Sequence, residues 1–166
     1  MKNSIFVVLL FWVFTLQVKA TEYLVGTKTD FENALKKVNP GDIIIWKEGN
    51  YSDIKIDFTP LINGTSEKPI FLKAQKPGKV KFSGNSQLFI GGDYLVVEGF
   101  LFEGNCTLET NQNVIDFKSK DKKKGEANHC RLTNCAIINY SLTEENDKKN
   151  YYVNLIGTHN EVDNCT

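Results

Sequence analysis

Three stretches, Asp93–Phe100, His129–Ala136 and His159–Thr166, restate one pattern at offsets of 36 and then 30 residues. A strand-like unit recurring at this period, rich in aliphatic and β-branched residues, is the mark of a solenoid whose coils stack on one another. A sandwich has no reason to repeat one strand-turn-strand unit in register. Aligned end to end, the copies put Val96, Leu132 and Val162 in one inward column. Glu98, Asn134 and Asn164 then share a corner, and Gly99, Cys135 and Cys165 follow as a column of small residues. The chain stops inside the third copy, which leads to the expectation that it is the N-terminal part of a longer solenoid.

Ahead of the first strand, a positive start at Lys2, an apolar run from Ile5 to Leu16 and small side chains at Val18 and Ala20 describe a secretory signal peptide, residues 1–20. The apolar run is shorter than the roughly 20 residues a spanning helix needs. Residues 21–166 form the expected domain, secreted or periplasmic. With 20 basic and 20 acidic residues, no net field favours nucleic acid. Cys106, Cys130, Cys135 and Cys165 fit no zinc spacing. Cys135 and Cys165 recur at one place in the repeat and read as stacked, buried small side chains rather than a disulfide. Five Asn-x-Ser/Thr triplets, at Asn50, Asn63, Asn105, Asn139 and Asn164, are matches expected by chance in a chain this rich in Asn.

Thr29–Val38 places Phe31, Ala34, Leu35 and Val38 at helical spacing, with Thr29 and Glu32 as a capping box and Asn39, Pro40 and Gly41 as the stop. Such a helix caps the apolar interior of a first coil. Short strands follow at 42–46, 49–51, 54–58, 69–73, 80–82, 88–90, 94–97 and 100–102, punctuated by Gly, Asn and Pro. The fold class is therefore all-β, a right-handed parallel β-helix with a short N-terminal capping helix. Asn134 and Asn164 suit a left-handed corner and a ladder of amides one strand spacing apart. His129 and His159, the two histidines, share a column with Asp93 and read as exposed turn residues rather than metal ligands. The segments 107–113, 118–128 and 141–150 read as polar loops leaving the coils, the second made basic by Lys118, Lys120, Lys122, Lys123 and Lys124. Arg131, the single arginine, falls on the outward side of its strand.

Taken in order, Gly41–Tyr51, Gly64–Ala74, Pro77–Val80 and Leu95–Phe102 resemble the opening coils of polysaccharide lyase family six, the alginate lyase and chondroitinase B group. Asn128–Cys135 and Gly157–Cys165 resemble the coils that come next. The resemblance implies β-elimination on an anionic uronate polysaccharide, alginate ahead of chondroitin or dermatan sulfate. It also implies a Ca²⁺ that neutralises the uronate carboxylate, a Lys base and an assisting Arg. In the family those residues sit on later coils, so it assigns no catalytic, cofactor-binding or metal residue to this chain. A non-catalytic β-helical carbohydrate-binding protein is the alternative of a different class. A glycoside hydrolase would need paired carboxylates on one face, and none stacks in these repeats.

Overall fold

The computed structural model describes residues 19–106, 108, 109, 111–121, 125–140 and 150–166. The expected signal peptide falls mainly on residues 1–18, outside the described residues. Strand β1 (Glu22–Val25) and helix α1 (Lys28–Leu35) come first. They are followed by β2 (Ile43–Trp46), β3 (Gly49–Ser52), β4 (Lys55–Phe58), β5 (Ile70–Ala74), β6 (Val80–Gly84), β7 (Gln87–Ile90) and β8 (Gly92–Asp93). The remainder are β9 (Leu95–Glu98), β10 (Leu101–Cys106), β11 (Ile115–Asp116), β12 (Ala127–Asn128), β13 (Arg131–Thr133), β14 (Ala136–Ile138), β15 (Val153–Asn154), β16 (Gly157–Thr158) and β17 (Glu161–Asp163).

These strands build parallel sheets in the orders β1-β2-β5-β9-β13-β17, β14-β10-β6-β3, β15-β11-β7-β4 and β16-β12-β8. β1 and β2 are neighbours in the six-stranded sheet across helix α1; from β2 onward consecutive strands along the chain fall in different sheets, and strands of one sheet come from successive turns of the chain. That is a parallel β-helix. Each turn leaves its strand edges to be paired by the next, so the stack holds itself together by backbone hydrogen bonds in one direction.

Inward side chains form in-register columns. One runs Ile44, Leu72, Val97, Leu132 and Val162. A second runs Tyr51, Phe82, Phe102 and Ile137. A third runs Ile56, Leu88, Ile115 and Val153. Val97, not Val96, is the core member of the first column. Val96 pairs with Phe71 and Arg131 on the outward side of the same sheet. The misplacement by one residue has a physical cause at the following corner. Gly99, Asn134 and Asn164 have φ of 86°, 52° and 51°, so they are the equivalent left-handed residues. Glycine and asparagine are interchangeable at such a bend for conformational reasons. Matching Asn134 to Glu98 because both are polar shifts the first copy by one. The true offsets are 35 and 30, as the cross-coil bonds of Asn128 show.

Helix α1 starts two residues earlier than the Thr29 cap suggests and stops sooner. Thr27, not Thr29, is the N-cap, its side chain accepting from the Asp30 N–H at 3.1 Å. Phe31 and Ala34 are the buried face. The Phe31 ring lies 5.5 Å from Trp46 and 6.5 Å from Phe58, so the helix plugs the first coil with an aromatic side chain whose burial is worth about 2–3 kcal/mol. Val38, beyond the helix, is also buried and bonds back to the Ala34 carbonyl.

Two of the expected loops are closer to the coils than their polarity suggests. In the first, Leu108 and Asn113 are buried, and Asn113 ties the loop down by donating to Asp116 Oδ1 and accepting from the Gln87 side chain. In the second, Lys118 and Glu126 form an antiparallel bridge, and Ala127–Asn128 is a strand of the stack rather than loop. Lys122, Lys123 and Lys124, and the third loop apart from Asn150, lie outside the described residues.

Candidate ligand-binding corner

Each of β8, β12 and β16 is two residues long and is followed at once by a left-handed residue, Tyr94, His129 or His159, with φ of 55°, 54° and 56°. A non-glycine residue in that region costs on the order of 1 kcal/mol. The bend turns the chain from the small sheet into the six-stranded one, and the same bend throws the three rings outward in register. Tyr94 and His129 stack with centroids 4.8 Å apart at 6°, and His129 and His159 stack at 4.6 Å and 9°. The column-mate of the histidines is thus Tyr94, and Asp93 belongs to the preceding position.

Asp93 instead anchors a second ladder beside the rings. Asn63 Nδ2 donates to Asp93 Oδ2 at 2.8 Å, and Asn128 Nδ2 donates to Asp93 Oδ1 at 3.1 Å. Thr158 donates to Asn128 Oδ1 through its backbone N–H at 3.1 Å and its hydroxyl at 3.0 Å. One polar rung per coil is fixed in place by the rungs next to it. The expected amide ladder at Asn134 and Asn164 is not made this way. Both residues are exposed at a left-handed corner, and Asn164 Nδ2 donates to its neighbour Asp163 at 2.8 Å. The signal for the real ladder was a polar residue placed just before each left-handed ring, at Asp93, Asn128 and Thr158, with Asn63 before Gly64 one coil earlier.

A groove of about 450 Å³ opens along this ladder. Asn63, Asp93 and Asn128 form its polar wall, Glu126 adds a carboxylate, and Leu61 stands on its rim above the buried Thr59 and Pro60. Leu61 is 75% exposed, an aliphatic side chain without a packing role.

The remaining candidates have structural work. All four cysteines are free thiols. Burial pushes the Cys130 thiol up to about 11 and Cys135 up to about 12, which keeps both protonated and unreactive at neutral pH. Arg131 makes a fork-like pair with Asp163, Nε to Oδ1 at 2.9 Å and Nη2 to Oδ2 at 2.5 Å. That hydrogen bond holds the Asp163 carboxyl below the usual carboxylate range. A depressed pKa stabilises the folded chain above the ordinary carboxylate value and loses that contribution as pH falls through the folded one. Among the described residues, no group of three or more His, Cys, Asp or Glu side chains is placed to hold a metal ion.

The stacked coils are similar to those of known proteins. The family model for chondroitinase B matches residues 25–166. Among solved structures, the PL6 family alginate lyase AlyGC is 36% identical, with a TM-score of 0.76 over 86% of this chain and 19% of that one. A mannuronic acid specific polysaccharide family 6 lyase from human gut microbiota is 32% identical, with a TM-score of 0.70 over 86% of this chain and 33% of that one. The PL6 family polysaccharide lyase Pedsa3628 from Pseudopedobacter saltans is 31% identical, with a TM-score of 0.65 over 78% and 27%. No curated protein matches. The chain therefore spans between a fifth and a third of the length of these solved relatives. A match across nearly all of residues 25–166, carried by the same stacked parallel coils, means that the chain belongs to the chondroitinase B family, the PL6 polysaccharide lyases.

Proposed function

We propose that this chain is the N-terminal β-helical part of a secreted or periplasmic lyase that cleaves a uronate polysaccharide, poly-mannuronate-containing alginate first, by β-elimination. The observation that carries the reading is the likeness over 86% of the chain to a structure described as an alginate lyase and to another described as mannuronic acid specific. The family model named for chondroitinase B favours dermatan or chondroitin sulfate as the second substrate class.

In such a reaction a proton leaves the carbon beside the uronate carboxylate and the 4-linked sugar departs, leaving an unsaturated end. The difficulty is the weak acidity of that carbon, which positioned charge must relieve. Ca²⁺ belongs to this reading for the whole protein, but the described residues offer no cluster that fits it. The role of this chain is positional. Four parallel sheets fix the height and rotation of whatever coil is paired to β17, β14, β15 and β16, and a site built across coils needs that register held to a fraction of an ångström.

The test is the polypeptide extended to the length of its relatives, given poly-mannuronate, poly-guluronate and dermatan sulfate in separate reactions. Ultraviolet absorbance from unsaturated uronate is expected to rise fastest with poly-mannuronate. No rise with any of the three would end the lyase reading.

A further inference from the structure

We infer that the corner groove is a binding site for an uncharged, hydroxyl-rich saccharide, an extended 1,4-linked hexose chain lying along the β-helix axis. It is a site additional to uronate cleavage and does not depend on it.

The wall carries the first argument. Asn63 and Asn128 each spend one amide hydrogen on Asp93 and keep a second, while each Asp93 oxygen accepts one bond and keeps a free lone pair. Neighbouring rungs therefore offer a donor beside an acceptor, the complement of two adjacent sugar hydroxyls. Because the rungs already hold one another, a ligand immobilises little extra side-chain freedom. The rungs repeat at the strand spacing of roughly 4.8 Å, a distance close to the advance per sugar in an extended 1,4-linked chain.

The rim and the sign of charge carry the second. The exposed Leu61, seated above the buried Pro60, gives an apolar surface on which the C–H face of a sugar ring can rest, the mixture of apolar contact and few polar groups typical of small-ligand sites. The described lining includes the carboxylates Asp93 and Glu126 and no Lys or Arg. A uronate would bring its carboxylate against those two, so the groove selects against the charged polymer. A bare cation is also disfavoured, because both Asp93 oxygens face amide N–H donors and, among the described residues, no third His, Cys, Asp or Glu side chain joins Asp93 and Glu126 in a cluster.

Isothermal titration of the full chain with cellohexaose, mannohexaose, hexamannuronate and calcium chloride, at one ionic strength, tests this. At least one neutral hexasaccharide is expected to bind in the sub-millimolar range. Leu61→Ala, at a position too exposed to affect folding, is expected to weaken it about fivefold through lost apolar contact. Asp93→Asn should weaken it about tenfold by removing a charged acceptor. The proposal is overturned if neither neutral hexasaccharide binds at millimolar concentration, or if hexamannuronate binds more tightly than both. It is also overturned if calcium alone gives a saturable heat that Asp93→Asn abolishes, or if Leu61→Ala leaves neutral binding unchanged.

Discussion

Phe82→Ala is expected to destabilise the chain by about 3–5 kcal/mol, the range for deleting a buried aromatic ring that its surroundings cannot refill. Phe82 is 1% exposed and sits at the junction of four rings. Its centroid is 5.9 Å from Trp46, 5.8 Å from Tyr51, 5.4 Å from Phe100 and 5.3 Å from Phe102. Those neighbours belong to the coils before and after it; Trp46, Tyr51 and Phe102 are held by strand pairing and Phe100 by its carbonyl accepting from the Ala136 N–H, so none can move into the void. A solenoid is a chain of nearest-neighbour contacts, and a gap in the middle also weakens the coupling between the capped end and the later coils. Chemical denaturation followed by far-ultraviolet circular dichroism should show a much lower midpoint, with α1 and β17 no longer unfolding together when probed separately. A shift below about 1 kcal/mol, the size typical of a surface change, would mean this ring is not where the core is densest.

Gly157→Ala is expected to be as damaging for a different reason. A Cβ on Gly157 would lie 1.9 Å from the Ala127 carbonyl oxygen, and its φ of +93° is a conformation that side chains rarely adopt. The obstacle is backbone of a paired strand, so relief requires β16 to leave β12. Strain at the dihedral contributes about 1–3 kcal/mol and the clash adds to it. Gly78→Ala separates the two effects, because Gly78 has φ of +71° with nothing within 4 Å of the added carbon. The expected order is a loss of roughly 3 kcal/mol or more for Gly157→Ala and about 1 kcal/mol for Gly78→Ala, read from denaturation midpoints. Equal losses would mean that the close approach of the two coils is not a constraint.

The repeat made the architecture legible because stacking demands the same side-chain type at the same height in each coil. Leu132, Cys135 and the left-handed Asn134 and Asn164 occupy the positions their pattern implies, whereas Val162 and Cys165 keep the register of their columns but are exposed on the outermost described coil rather than buried. Val96 misses its position, because register hangs on a bend that Gly99 fills in one coil and asparagine in the next two. Thr29 was a plausible cap by composition, yet Thr27 is the residue whose extended backbone lets its side chain reach the Asp30 N–H. The ligand corner was the least legible part. Asn63, Asp93, Asn128 and Thr158 differ in kind, and what unites them is a hydrogen-bonding relation across coils that no single segment displays. The two histidines, conspicuous in the sequence, prove to continue a ring stack that starts at Tyr94, His129 lying on Tyr94 and His159 on His129.

Under the proposed function, these coils supply the scaffold of a lyase and a polar corner, while the elimination chemistry needs groups that the described residues do not bring together. The most direct test is an assay of residues 21–166 alone with alginate and Ca²⁺, following the ultraviolet absorbance of unsaturated uronate. The predicted result is a flat trace at protein concentrations where the extended polypeptide gives a steep one. A steady rise that scales with the amount of residues 21–166 would contradict the account.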